Sequence, residues 1–311
     1  MSSGYPETEM VPPAGAALAV ATEPPQLPGS EAHPTRRRLG RVLIYAVLIL
    51  YALITFIPFL WTLATSFKTL PESLQLTLIP VHPTTYGYVK AWTQLQPALP
   101  VMFMNSVIIA AIATVTNVVL GALGGYAFAR LRFPGREALF LLVLGTLMIP
   151  DQLRLVPVYQ ILINLNLITP GPMNYVAISL VLAISATSLF IMRQFFLTLP
   201  YDLEESARMD GAGFFTTFRR VVAPLATPAL ATVAIMTFQG TWNGFFWPLV
   251  ILQAPAHWTL PLGLTQFRFQ FSTDWPPLMA MDVIATVPIV ILYLFFQRYF
   301  VGGLSAGAVK G

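Results

Sequence analysis

The chain has 311 residues, of which 56% are hydrophobic and only 10% charged, and its mean hydropathy is +0.70. That balance is far more apolar than a soluble domain carries and reads as an all-α integral membrane protein. The formal net charge of +4 requires no nucleic-acid partner, because the placement of the basic residues across a membrane accounts for it, and the absence of cysteine excludes disulfides, thiol chemistry and cysteine-ligated metals.

Residues 1–38 combine prolines, small residues and several acids with a closing basic cluster and contain no apolar run, which predicts a disordered cytoplasmic tail. The first long apolar stretch begins after residue 40 and exceeds a signal-peptide core, so it is expected to remain as a span rather than be cleaved. Six runs are long enough to cross a bilayer, at about 41–66, 105–129, 138–163, 174–196, 226–252 and 281–301. Pro150, Asp151, Arg154 and Pro157 interrupt the third, which is expected to kink or end early. Pro58, Pro248 and Pro288 predict local kinks in the first, fifth and sixth.

Basic residues accumulate on one face of this six-span arrangement. Arg36, Arg37, Arg38 and Arg41 precede the first run, Arg130, Arg132 and Arg136 separate the second from the third, and Arg193, Arg208, Arg219 and Arg220 surround the fourth connection. The other face receives Lys68, Lys90 and Arg268, with Arg154 ambiguous. Lysine and arginine favour the cytoplasmic side, so both termini are predicted to be cytoplasmic.

The connection between the fourth and fifth runs, about residues 200–224, is polar and helix-compatible. Asp202 is placed to cap a short helix and Glu205, three positions on, to complete a capping box. Gly211 is placed to end that helix in the left-handed conformation. Phe214, Phe215 and Phe218 follow at i, i+1 and i+4 spacing. A second short helix would present them as a knob for a partner's groove or rest them among lipid headgroups, and spacing alone leaves both open.

In the fifth run Gln239, Trp242, Asn243 and Phe246 fall at i, i+3, i+4 and i+7, so a continuous helix would carry them on one face. Amides and aromatic rings together suit the hydroxyls and apolar ring faces of a sugar, and equally suit an interhelical polar contact with aromatic packing. Asn117 in the second run is a further buried-amide candidate for a substrate path, or a tie between helices. Gly121 and Gly125 read as a place of close helix packing. Ionisable groups deep in the runs are scarce, with Asp282 at the edge of the sixth. This disfavours the rival reading of a secondary transporter driven by an ion gradient, although Asp151 and Arg154 keep it open. His33, His82 and His257 lie in the tail or outer loops without a nucleophile or metal-ligand spacing, which leaves a membrane enzyme little support.

The segment from Glu205 to Pro224 resembles the EAA loop of the permeases of ABC importers. That pattern is Glu-Ala-Ala, three residues, Gly, nine residues, an aliphatic residue, one residue, then Leu-Pro, and Glu205, Ser206, Ala207, Gly211, Val221, Ala223 and Pro224 stand at those places. Ser206 for Ala and Ala223 for Leu depart from it. NSVIIA from Asn105, GGYAFARLRFPGR ending at Arg136, TWNGFFWPL from Thr241 and the closing GLSAGAVKG extend the resemblance over nearly the whole chain after residue 40, closest to the maltose-transporter-type permeases that import carbohydrates.

The resemblance implies six transmembrane helices, with a cytoplasmic coupling helix between the fourth and fifth, in a permease domain over residues 39–311 of the cell inner membrane. It implies an assembly with a second, homologous permease, two cytoplasmic ATPase subunits and an extracytoplasmic solute-binding protein, surrounded by membrane lipid. Glu205, Ser206, Ala207, Asp210, Gly211, Phe214, Phe215 and Pro224 would serve coupling to the ATPase, and the carboxyl-terminal GLSAGAVKG would also reach it. No G-x-x-x-x-G-K-[ST] loop is present, so ATP and Mg²⁺ would be bound by the partner ATPase, with no catalytic residue, metal or cofactor in this chain. The sugar itself, a di- or oligosaccharide, is not legible in the residues.

Overall fold

A computed structural model describes residues 34–169, 171–268 and 273–308, with side chains from residue 40 to 297 within those ranges. The tail read from composition therefore lies outside the described residues except for 34–38, whose backbone is already helical. Among the described residues the structure is helical, with a single isolated bridge between Arg268 and Thr273. The chain divides into two units, residues 1–57 and 58–311.

The helix α1 (Pro34–Ser66) runs across that division. In the first unit every residue from Gly40 to Ile57 is exposed, and most are apolar. A helix that is apolar on all sides is stable only where lipid or protein covers it.

The second unit continues with the single turn α2 (Leu70–Ser73) and with α3 (Tyr86–Thr93), and then reaches α4 (Leu99–Arg130). Next come α5 (Arg136–Gly145), α6 (Asp151–Asn164), α7 (Met173–Val181) and α8 (Ala186–Thr198). The polar connection holds α9 (Asp202–Met209), α10 (Phe214–Thr217), a π-helical turn over Phe218–Val222 and α11 (Ala223–Leu225). The rest is α12 (Thr227–Trp242), α13 (Phe246–Ile251), α14 (Leu260–Leu264) and α15 (Trp275–Ala308).

Among the described residues, three helical stretches are long and apolar enough to cross a membrane: Gly40–Ser66, Leu99–Arg130 and Trp275–Gln297. The third, fourth and fifth runs are bent pairs that reach that length only together. Arg136–Met148 and Asp151–Asn164 meet at 107°, Met173–Val181 and Ala186–Thr198 at 50°, and Phe214–Leu225 and Thr227–Trp242 at 77°. The kink expected in the third run thus falls at Pro150, which has no N–H to give and keeps the residue before it out of the helix; Pro157 is accommodated inside α6.

The run at 174–196 is not the unbroken helix its apolarity suggests. Leu182–Ser185 leave the helix, and Ser185 recaps it, its Oγ accepting from the Ser188 N–H at 3.0 Å. Nor is the run at 226–252 continuous, because helix α12 stops at Trp242 and the chain turns through Asn243–Phe245 before α13.

Helix α4 is the axis of packing. Its N-terminal half contributes Met102 and Ala110 to a core with Trp242, Leu260 and Met281 and, on another face, Ile109 to a core with Ile178, Trp247 and Ile251; its C-terminal half, through Ala122 and Tyr126, packs with Phe196, Val222 and Val233. Gly121 and Gly125 permit the close approach to α8 expected of them. A Cβ at Gly125 would lie 2.5 Å from the Cβ of Met192, and one at Gly121 3.2 Å from that of Ser188. At its start, Asn105 of the NSVIIA stretch donates to the carbonyls of Ala256 and Trp258, both at 3.0 Å, and accepts from the Tyr175 hydroxyl at 2.6 Å.

Candidate functional site

The polar connection forms a short helix as expected, but its first turn is built differently. Tyr201, not Asp202, stands at the cap with helical backbone angles and no side-chain bond, and Asp202 is already inside the helix. The capping box of Asp202 with Glu205 is therefore not formed. The cause is next door in sequence: Glu204 is 1% exposed, and burying it fixes the rotation of α9 so that Glu205, about 100° further round, faces outward.

Glu204 is held by partners from the C-terminal end of α4. The Arg130 Nε lies 2.8 Å from its Oε1, and the Tyr126 hydroxyl donates to its Oε2 at 2.8 Å. Arg130 also donates to the Leu199 carbonyl at 2.6 Å, and Arg208 stands 3.9 Å from Glu204 on the solvent side. A buried carboxylate is tolerable only when paired and hydrogen-bonded in this way. Neither Glu204 nor Tyr126 stood out in the sequence, and Arg130 read only as a topology charge.

The end of α9 follows its sequence closely. Gly211 has φ +81°; its N–H donates to the Arg208 carbonyl at 2.9 Å and that of Ala212 to Ala207 at 2.9 Å, the paired bonds of a Schellman turn. Ser206 is exposed and its hydroxyl returns to the Asp202 carbonyl at 2.8 Å. Ala207 is half-buried, and Asp210 is exposed at the C-cap.

The three phenylalanines do not act as one knob. Phe214 and Phe218 share a face and lie against Tyr126, each with ring centroids 5.0 Å away; Phe215 projects the other way and is 65% exposed. Pro224, exposed, lies where the chain swings into α12, its carbonyl accepting from Thr227 Oγ1 at 2.6 Å. In the tail, the backbone of GLSAGAVKG is helical as far as Ala308; its side chains and last three residues lie outside the described residues.

A cleft of about 580 Å³ opens where the breaks of the third and fourth runs face α12. Thr146, Ser185, Thr187, Thr237 and Thr241 contribute hydroxyls to its wall. Asp151 and Arg154, which also line it, form an ion pair one helical turn apart. Asn117 reaches this wall, but its amide is fully engaged: it donates to the carbonyls of Ala113 (2.9 Å) and Leu182 (2.7 Å) and accepts from the Ser185 N–H (2.8 Å) and the Ser188 hydroxyl (3.0 Å). It ties α4 to the break between α7 and α8.

The face proposed in the fifth run is not assembled. Trp242 is 1% exposed, donates to the Ala285 carbonyl at 2.9 Å and packs against Phe103 and Phe238. Gln239 and Asn243 are exposed, and Phe246 lies beyond the helix break, against Trp247 at 5.3 Å. The chain bends at Asn243–Phe245, so the i+7 position leaves the helix. Among the described residues no group of three or more His, Cys, Asp or Glu is arranged to hold a metal.

Residues 35–305 match the family described as binding-protein-dependent transport system inner membrane component. The arabinooligosaccharides transport system permease protein AraQ of Halalkalibacterium halodurans is 36% identical over 283 residues, covering 89% of this chain and all of AraQ. The trehalose/maltose transport system permease protein MalG of Thermococcus litoralis is 35% identical over 277 residues, 88% of this chain and 98% of MalG. Among solved structures, a bacterial ABC transporter that imports the acidic polysaccharide alginate matches with a TM-score of 0.72 at 23% identity, over 85% of this chain and 97% of the matched chain; that likeness concerns the fold.

Proposed function

Because this chain belongs to the family of binding-protein-dependent transport system inner membrane components, we propose that it is the permease subunit of an ATP-driven ABC importer that brings a di- or oligosaccharide into the cytoplasm. The relatives at 35–36% identity carry names of sugar transport systems, and none of this supports the rival carrier driven by an ion gradient. The chain would cross the inner membrane six times, counting each bent pair as one span, with both termini cytoplasmic. It would pair with a second permease, two ATPase subunits that bind ATP and Mg²⁺, and a solute-binding protein on the outer side.

The observation that carries the reading is the two-sidedness of α9. One face is fastened to α4 through buried Glu204, while Glu205, Ser206, Met209 and, beyond the turn, Phe215 are exposed. Such a helix transmits force, because a partner that grips the free face moves the span behind it. Glu205, Ser206, Ala207, Asp210 and Gly211 are the residues assigned to that grip, with Phe214, Phe215 and Pro224 supporting it. The hydroxyl-lined cleft suits a neutral sugar, whose hydroxyls exchange bonds with threonine and serine. Asn117 belongs to its wall. Gln239, Asn243 and Phe246 would meet the substrate only in another state of the assembly, and Trp242 would support the path from behind.

The test is co-purification from native membranes followed by reconstitution in proteoliposomes with the recovered ATPase, companion permease and binding protein. Uptake of arabino- and malto-oligosaccharides that needs ATP and the binding protein is expected. Uptake by the isolated chain on a proton or sodium gradient would overturn the reading.

A further inference from the structure

We propose that Glu204 is the positioning residue through which movement of the short helix α9 reaches the cleft, acting as a latch on the C-terminal end of α4. The inference rests on the importer reading above and concerns a residue distinct from Glu205. Three observations carry it.

First, the attachment is concentrated. On α9, Glu204 is the buried residue, and it takes both an ion pair from Arg130 and a hydrogen bond from Tyr126. The next element is fixed to the same point, since Phe214 and Phe218 pack on the Tyr126 ring and Phe196 of α8 packs on it at 5.5 Å. A push on α9 or α10 therefore arrives at Tyr126 and Arg130.

Second, what lies behind the latch is stiff. From Tyr126 to Asn117, α4 is unbroken helix, about 13 Å at 1.5 Å per residue, and Gly121 and Gly125 hold it against α8 with no room for a methyl group at Gly125. Closely packed helices slide or tilt as units rather than deform.

Third, the far end of that stretch is joined to the break between α7 and α8. Asn117 holds the Leu182 carbonyl and the Ser185 N–H, the two ends of the gap between α7 and α8, and Leu182 and Ser185 line the cleft. Displacing α4 along its axis changes the bend between α7 and α8, and with it the width of the cleft.

The charge on Glu204 serves this role because a buried carboxylate cannot leave its guanidinium without large cost. The contact holds under load where an exposed ion pair would dissolve into water.

The experiment uses the complete reconstituted importer and measures ATP hydrolysis and sugar uptake in the same vesicles. For Glu204→Gln the expected result is hydrolysis within about twofold of wild type and uptake reduced at least tenfold, so that ATP consumed per sugar moved rises at least fivefold. Tyr126→Phe, which removes only the hydroxyl, tests the same point if the first variant does not assemble, and is expected to raise the ratio severalfold. Proportionate loss of both activities in the variants that assemble would assign Glu204 to assembly alone and overturn the latch, as would an unchanged ratio. A wild-type complex without ATP-driven uptake would instead sink the importer reading, which separates the two failures.

Discussion

Replacing Gly211 by valine tests the turn on which the outward face of α9 depends. At φ +81° a β-branched residue is strained by its own backbone, and an L-residue in the left-handed region pays about 1–2 kcal/mol. No atom lies within 4 Å of a Cβ built there, so the penalty is conformational and not a clash. If the turn opens instead, the two bonds from Gly211 and Ala212 to the last carbonyls of α9 are lost, each worth about 1 kcal/mol. Either route weakens the native turn by about 1–2 kcal/mol, a factor of about 5–30 in the ratio of formed to open turn. Membrane insertion and the α4–α8 core should be untouched. The assay is retention of the ATPase on tagged permease together with ATP-driven uptake, measured for Gly211→Asn, Gly211→Ala and Gly211→Val. Asparagine, which tolerates the left-handed region, should stay close to wild type, alanine should fall between, and valine should lose most of the coupling. Equal behaviour of asparagine and valine, or normal uptake by Gly211→Val, would refute the reasoning.

Three further outcomes are expected. Asn117→Leu keeps the branching and the number of side-chain heavy atoms but orphans the Ser185 N–H and the Leu182 carbonyl, at about 1–3 kcal/mol, and should lower the thermal midpoint in detergent; an unchanged midpoint would show that Asn117 is not a tie. Trp242→Ala removes a fully buried ring and its bond to Ala285 and should cost about 3–5 kcal/mol, whereas exposed Gln239→Ala should stay within about 0.5 kcal/mol; the reverse order would contradict the placement of these side chains. Beside α3, the Asp274 carboxylate and then the Tyr86 hydroxyl raise the Lys90 amino group above its usual range. A raised folded pKa means that the pair's contribution is fully present below the unfolded value of 10.5 and is lost as pH climbs through the folded one. Wild type and Lys90→Met should therefore differ by a constant amount from pH 6 to 9 and converge only at stronger alkali, as read by thermal unfolding across pH.

Features written in local backbone chemistry could be read without a fold. Apolar runs mark the bilayer-length segments because desolvation acts on each residue where it stands. The break at Pro150 follows from a missing N–H, and the end of α9 from the residue type that adopts φ +81° most readily. Even the choice of Gly121 and Gly125 for close packing could be anticipated, since their size limits what they can do.

Tertiary structure decided everything that depends on which way a helix is turned. Glu204 and Glu205 are equally acidic neighbours, and only the approach of Arg130 and of Tyr126, 78 positions earlier, buries the first and leaves the second free. Phe214, Phe215 and Phe218 read as one group until Tyr126 claims two of them. Trp242 belongs to the core because α15 offers it the Ala285 carbonyl, and the break at Leu182–Ser185 opens because Asn117 supplies its polar groups from another helix. A residue's burial and a carbonyl's partner are properties of surfaces brought together over long separations, and periodicity within one segment does not encode the rotation at which those surfaces meet.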